Sequence, residues 1–255
     1  MSVEHIDKLA DVLLAINKGE VSEEEAGRVL GGISEVELSL AEQRLLERGV
    51  KPEELRGLCA VHLQVLNKEV EDLKKKTGPG HPLYTLVSEH DRILGFLETL
   101  DKAAKLVLSR PAYAESDHQL RAALDDIKNV AYHLVETEKH HAREEEALFP
   151  AMEAKGITGP TRIMRLEHDD LRPRKKALYE LISRARIEDF EEFKKTLSEI
   201  VSYIGFNLRD HIFKENTILY PAAYKAIVEP ETWDEIKARS DEIGYCCFTP
   251  GHEVA

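Results

Sequence analysis

The sequence predicts an all-α protein, an antiparallel up-down four-helix bundle preceded by a small helical domain. Two observations carry this. Apolar residues recur at three- and four-residue spacing through four long stretches, the mark of helices that share a core. Proline and glycine gather between those stretches, and the connections are short enough to make neighbours antiparallel.

Residues 1 to about 76 read as a run of short amphipathic helices forming the first domain. Ser22 with Glu25, and Ser34 with Glu37, have the capping-box spacing that satisfies the first free amides of a helix. Gly31-Gly32 and Gly49 stand where helices should stop, and Pro52 where one of about Pro52–Lys76 should begin. The run from Thr77 to Pro82 cannot continue a helix, which sets the domain boundary there. The bundle is expected over residues 81–228. Its helices should be about Leu83–Leu108, Ser116–Met152, Thr161–Ala185 and Ile187–Ile227, with breaks at Arg110-Pro111, at Gly156 to Pro160 and at a turn from Arg184 to Asp189. A last helix, about Glu231–Glu242, and a tail from Gly244 make up residues 229–255.

Composition excludes several classes. The net charge is −13, so nucleic acid and anionic lipid are poor partners. The basic clusters Lys74 to Lys76 and Arg172 to Lys176 are short and read as solvated helix faces. No window approaches the roughly 18 apolar residues of a membrane span. Glu4, Asp7 and Asp11 interrupt any secretory segment, and three cysteines without framework spacing fit a reducing compartment. A cytoplasmic protein is expected.

The bundle region repeats itself, and the repeated residues are metal-ligand types. Glu89-His90-Asp91 is followed by His140, Glu144 and Leu148-Phe149-Pro150. Glu167-His168-Asp169 is followed by His211, Glu215 and Leu219-Tyr220-Pro221. Both copies thus carry His-x3-Glu-x3-Leu-aromatic-Pro. Residues four apart share a helix face, so His140 with Glu144, and His211 with Glu215, can reach one ion. His90 and His168 come from the neighbouring helix of each hairpin. Four imidazoles and two carboxylates suit iron better than magnesium or calcium, which take oxygen donors. Two glutamates offset part of the charge of two divalent ions and can bridge them. His141 with Glu145 has the same spacing, so a one-residue slip is open; the equal distances from His140 to Pro150 and from His211 to Pro221 favour His140.

These residues closely resemble the hemerythrin-like, or HHE cation-binding, family over about residues 80–228. The resemblance implies a four-helix bundle around a non-heme di-iron centre. His90, His140, His168 and His211 would be terminal ligands, with Glu144 and Glu215 as bridges beside an oxo or hydroxo group. Oxygen-carrying relatives have a further histidine four residues after the third; here that position is Arg172. The set looks more like di-iron proteins linked to nitric-oxide stress and repair of iron–sulfur clusters. The implied function is binding of, or reaction with, O2, NO or peroxide, including turnover of the NO-reductase or peroxidase kind. An electron donor or an iron–sulfur protein would be its partner. A sensor module without turnover and an iron donor for cluster repair are the alternatives.

Other residues have two readings. His133 and Glu136 either support His140 and its protons, or are a partly buried histidine and a solvated acid. His81 reads as a loop histidine rather than a replaceable ligand. Leu86, Leu94, Ile204, Leu208 and Ile218 should keep water from the ligand faces. The segment Val36–Leu66 resembles an uncharacterised helical domain that often precedes such bundles. Cys59 and His62 within it read as a buried cysteine and a surface histidine rather than a shared metal or redox site, and Cys246-Cys247 as two plain thiols rather than part of a tail that caps the bundle and brings a thiol near the metal.

Overall fold

The computed structural model describes residues 3–17, 72–183 and 189–252, with single positions between 20 and 70. The chain divides into two compact units, Met1–Lys76 and Thr77–Ala255. In the first, α1 (Val3–Asn17) is amphipathic and buries Leu9, Ala10 and Leu13 with Ala41 and Leu45. Asp7 pairs with Arg44 at 2.7 Å, and Asp11 with Arg48 at 2.6 Å, at the edge of that cluster. Both capping boxes, the glycine stops, most of Pro52–Lys76, Cys59 and His62 lie outside the described residues.

The second unit is the expected bundle. Its first helix is α2 (Pro82–Ser109). The second runs through α3 (His118–Glu136), α4 (Glu138–Arg143), a π-turn (Glu144–Leu148) and α5 (Phe149–Ala154). The third is α6 (Gly159–Ile182). The fourth runs through α7 (Phe190–Lys214), a second π-turn (Glu215–Leu219) and α8 (Tyr220–Ala226). Contacts run α2 to α3, α3 to α6, α6 to α7 and α7 back to α2, closing the up-down ring. A final helix, α9 (Pro230–Ile243), lies across α4, the first π-turn and α2. No described helix is long and apolar enough to cross a membrane.

Local chemistry moves two expected boundaries. Asp117 and Asp189 accept the first free amides of α3 and α7, which start those helices at His118 and Phe190 instead of Ser116 and Ile187. The expected single stretch Ser116–Met152 is interrupted at Thr137, whose carbonyl accepts from the His140 amide in a tighter, three-residue turn. The π-turns have a sequence cause. Pro150 and Pro221 cannot donate to the carbonyl four back and would clash with it. A widened turn relieves this, and Phe149 and Tyr220 donate instead to Glu144 and Glu215, five residues back. Each π-turn therefore begins on one of the two repeated glutamates.

The core below the site is hydrocarbon: Leu97, Leu100, Leu120, Ile127, Leu178 and Leu197 are fully buried. Each such side chain contributes about 1.5–3 kcal/mol of burial free energy. Leu97→Ala should destabilise the bundle by about 2–5 kcal/mol in urea unfolding, because the neighbouring helices cannot close the cavity. Tyr132→Ala, at an exposed position of α3, should stay within about 0.5 kcal/mol.

Candidate metal centre

The six repeated residues meet at one end of the bundle, and all are at most 1% exposed. His90 comes from α2, His140 from α4, His168 from α6 and His211 from α7, while Glu144 and Glu215 open the two π-turns. The ring nitrogens sort themselves into inner and outer sets. The four outer Nδ1 atoms face acceptors: Glu89 at 2.7 Å from His140, Glu167 at 2.9 Å from His211, Glu145 at 2.6 Å from His168 and Asn216 at 2.8 Å from His90. An ionised carboxylate has no proton to give, so each Nδ1 beside one is the donor and its Nε2 lone pair points inward.

Inside, Nε2 of His90 lies 3.2 Å from that of His140, and Nε2 of His168 lies 3.0 Å from that of His211. Glu215 spans the two pairs, with Oε2 at 3.1 Å from His90 and Oε1 at 3.0 Å from His211. Glu144 Oε2 stands between the pairs, 3.5 Å from His140 and 3.4 Å from His168. Its Oε1 accepts from the Tyr220 hydroxyl at 2.7 Å. Despite these approaches, Glu144 Oε2 and both oxygens of Glu215 are buried without a hydrogen bond. Lone pairs and carboxylate oxygens crowded together without donors are costly unless a cation lies among them. The donor set divides into His90, His140 and Glu215 on one side and Glu144, His168, His211 and Glu215 on the other, each within 4.8 Å. Nitrogen and carboxylate donors of this kind fit a transition-metal cation such as iron.

Without a metal ion, protons on the imidazoles meet part of this charge. Burial alone would lower every imidazole, yet the carboxylates prevail over it at three of them. Glu215 and Glu167 push His211 up to about 9, Glu144 and Glu145 raise His168 well above its ordinary value, and Glu215 raises His90. Glu89, although buried, is held down to about 2 by its bond to His140 and by Arg143. His141 goes the other way. Burial, with His168 and Lys175 as cationic neighbours, keeps it neutral.

Several supporting residues lay beyond the sequence reading. Glu89 and Glu167, the residues just before the first histidine of each copy, hold the second histidine of the same hairpin. Glu145 and Asn216, the residues just after the repeated glutamates, hold the first histidine of the other hairpin. The duplicated Glu-His-Asp motif was the available signal for the first pair. Glu145 is thus an outer partner of His168, while Glu144 turns Oε2 inward between His140 and His168. Arg172 reaches outward to Glu138, Asp169 and Glu145.

His133 and Glu136 do not support His140. The His133 ring stacks on Phe96 with centroids 4.6 Å apart and lies 3.4 Å from Cys247, while Glu136 pairs with Lys139 at 3.6 Å. His81 caps α2 by accepting from the Leu83 amide and lies tilted against the Trp233 ring, with centroids 4.4 Å apart. Of the expected apolar shield, Leu86, Ile204 and Leu208 are buried, and Leu94 and Ile218 half-buried. The tail folds back onto the bundle: Thr249 donates to Glu89, Arg143 donates to the same carboxylate at 2.6 Å, and the Cys246 thiol beside Arg143 is pushed up to about 12 by burial. Lys175, fully buried, donates to Thr137 at 2.6 Å. It borders a surface cavity of about 280 Å³ with Val135, Glu138, Arg172 and Lys176.

A four-helix bundle with this inward cluster is a cation-binding helical protein. Residues 81–223 match the hemerythrin HHE cation binding domain family, and the chain belongs to that family. Residues 9–72 match a family of unknown function, DUF438. No curated protein matches the chain.

Metal must displace protons here. Because His211 is protonated below about 9 in the metal-free protein, apparent affinity should rise with pH and level off above that value. Chelator-competition titrations from pH 6 upward check this, and a flat profile below 8 contradicts it. Thr249→Val removes one of the two donors to Oε1 of buried Glu89, which keeps Arg143, so metal retention should fall by about 10-fold while Thr249→Ser keeps it near wild type.

Proposed function

We propose that this protein holds two iron ions through His90, His140, His168, His211, Glu144 and Glu215, and binds or reacts with O2, NO or peroxide. The observation that carries the reading is Glu215, whose two oxygens face opposite histidine pairs while lacking any hydrogen bond. One carboxylate serving two nitrogen pairs describes two metal positions better than one. Iron, when bound, would supply both the electrons and the coordination positions that such small molecules use. The chain supplies the rest. Glu89, Glu145, Glu167 and Asn216 orient the imidazoles, and the π-turns aim the two carboxylates inward. Leu86, Ile204 and Leu208 belong to a dry interior. The Tyr220 hydroxyl donates to Glu144 and stands 3.5 Å from Nε2 of both His90 and His140, so a proton donor borders the place where a small ligand would bind. Donors this deeply buried favour a diffusible molecule over a bulky substrate. An electron donor or an iron–sulfur protein is the expected partner, and the cytoplasm the expected compartment.

Anaerobic reconstitution with ferrous iron tests the reading. About two irons per chain and an optical change on adding O2 or NO are expected. His140→Ala and His211→Ala should each lose metal and loosen the bundle, since buried carboxylates are left uncompensated. His118→Ala, an exposed position bonded to Arg121, should keep its full metal content. Equal metal in all three variants overturns the assignment.

A further inference from the structure

The geometry points to a binding site for a small inorganic oxyanion of single charge in the cavity on the flank of the bundle, lined by Val135, Glu138, Arg172, Lys175 and Lys176. The site lies outside the inward cluster of histidines and glutamates and does not rest on the dinuclear reading.

The internal repeat provides the first argument. Lys175 stands seven residues after His168, and Leu97 stands seven after His90. Thr137 stands three residues before His140, and Leu208 stands three before His211. Leu97 and Leu208 belong to the hydrocarbon core. Lys175 and Thr137 are also buried, yet they bond to each other at 2.6 Å. Hydrocarbon meets the packing need at this register in one hairpin, so packing does not explain an ammonium in the other. Taking an ammonium out of water is costly unless an opposite charge or a full set of hydrogen bonds meets it.

The chain supplies neither, which is the second argument. The Thr137 hydroxyl donates to the Leu134 carbonyl and accepts one ammonium hydrogen. Nδ1 of His141 stands at 3.5 Å, the limit of a useful bond. Among the described residues no carboxylate forms an ion pair with Lys175. Glu138, the acid on the cavity wall, gives Oε1 to Arg172 at 2.6 Å, and Asp169 and Glu145 bind the same guanidinium. Burial pulls Lys175 down to about 8 despite the nearby Glu138, which still leaves the ammonium form in excess at neutral pH. One positive charge therefore lines the cavity without its counter-ion.

The cavity sets the size and charge of what fits. About 280 Å³ admits an ion of a few atoms together with water. Arg172 and exposed Lys176 extend the positive wall. Glu138 and the net charge of −13 oppose a second negative charge on the ligand.

Calorimetric titration of the full-length protein as purified, with nitrate in chloride-free buffer at constant ionic strength, tests the site. About one nitrate per chain should bind, with sulfate at least about 10-fold weaker. Lys175→Met copies the hydrocarbon of Leu97 and should weaken nitrate binding at least about 10-fold, the loss of one charge-assisted bond. Lys175→Gln makes the same comparison should the methionine variant fail to fold. Lys128→Met, at an exposed position of α3, should bind nitrate as the wild type does. The optical spectrum of bound metal should not change on adding nitrate, because Lys175 is not a metal donor. No saturable binding, equal affinity for nitrate and sulfate, or equal nitrate affinity in the wild type and the Lys175 variants overturns the inference. A nitrate-induced spectral change that persists in those variants puts the anion on the metal and overturns it as well.

Discussion

Three carboxylate oxygens and four imidazole nitrogens face one another inside this bundle without a hydrogen bond to satisfy the carboxylates, and the structure depends on how that charge is met. A helix core normally excludes such groups, because an unpaired buried polar atom costs on the order of 1–3 kcal/mol and a buried charge costs more. Here they are assembled deliberately, with every outer nitrogen tied to an acceptor. The cation that belongs among them repays the desolvation of the whole set.

The outer bonds explain why the centre keeps its shape. Glu89 and Glu167 tie the two helices of each hairpin together, while Glu145 and Asn216 tie one hairpin to the other. All four helices are thereby linked through imidazole rings, so ring orientation and helix packing constrain each other. The repeat is not perfect at this level. Glu145 is charged where Asn216 is neutral, His141 stands opposite Ile212, and Tyr220 stands opposite Phe149. Each departure places different chemistry on the two sides of the centre.

The C-terminal segment has a clear place in this arrangement. Thr249 and Arg143 converge on Glu89, which in turn holds His140, so the tail past α9 reaches the inward histidine cluster through a single carboxylate. Cys246 is buried at the same junction, and its raised thiol pKa keeps it protonated. The sequence left a capping tail and two plain thiols both open, because nothing in the spacing of a tail says which helix it will meet.

The repeated histidines and glutamates, the four helical stretches and the breakers between them were legible in the linear chain. Helical periodicity and i, i+4 spacing are local rules, and a duplicated motif announces itself twice. Pro150 and Pro221 even carried the cause of the π-turns, since a missing amide proton is a property of the residue. What the chain order left open was every contact between helices: that Glu89 rather than His133 holds His140, that Glu145 serves His168, and that His141 lies beside His211. Those partners come from elements tens of residues apart, and only the closing of the bundle brings their side chains within bonding distance.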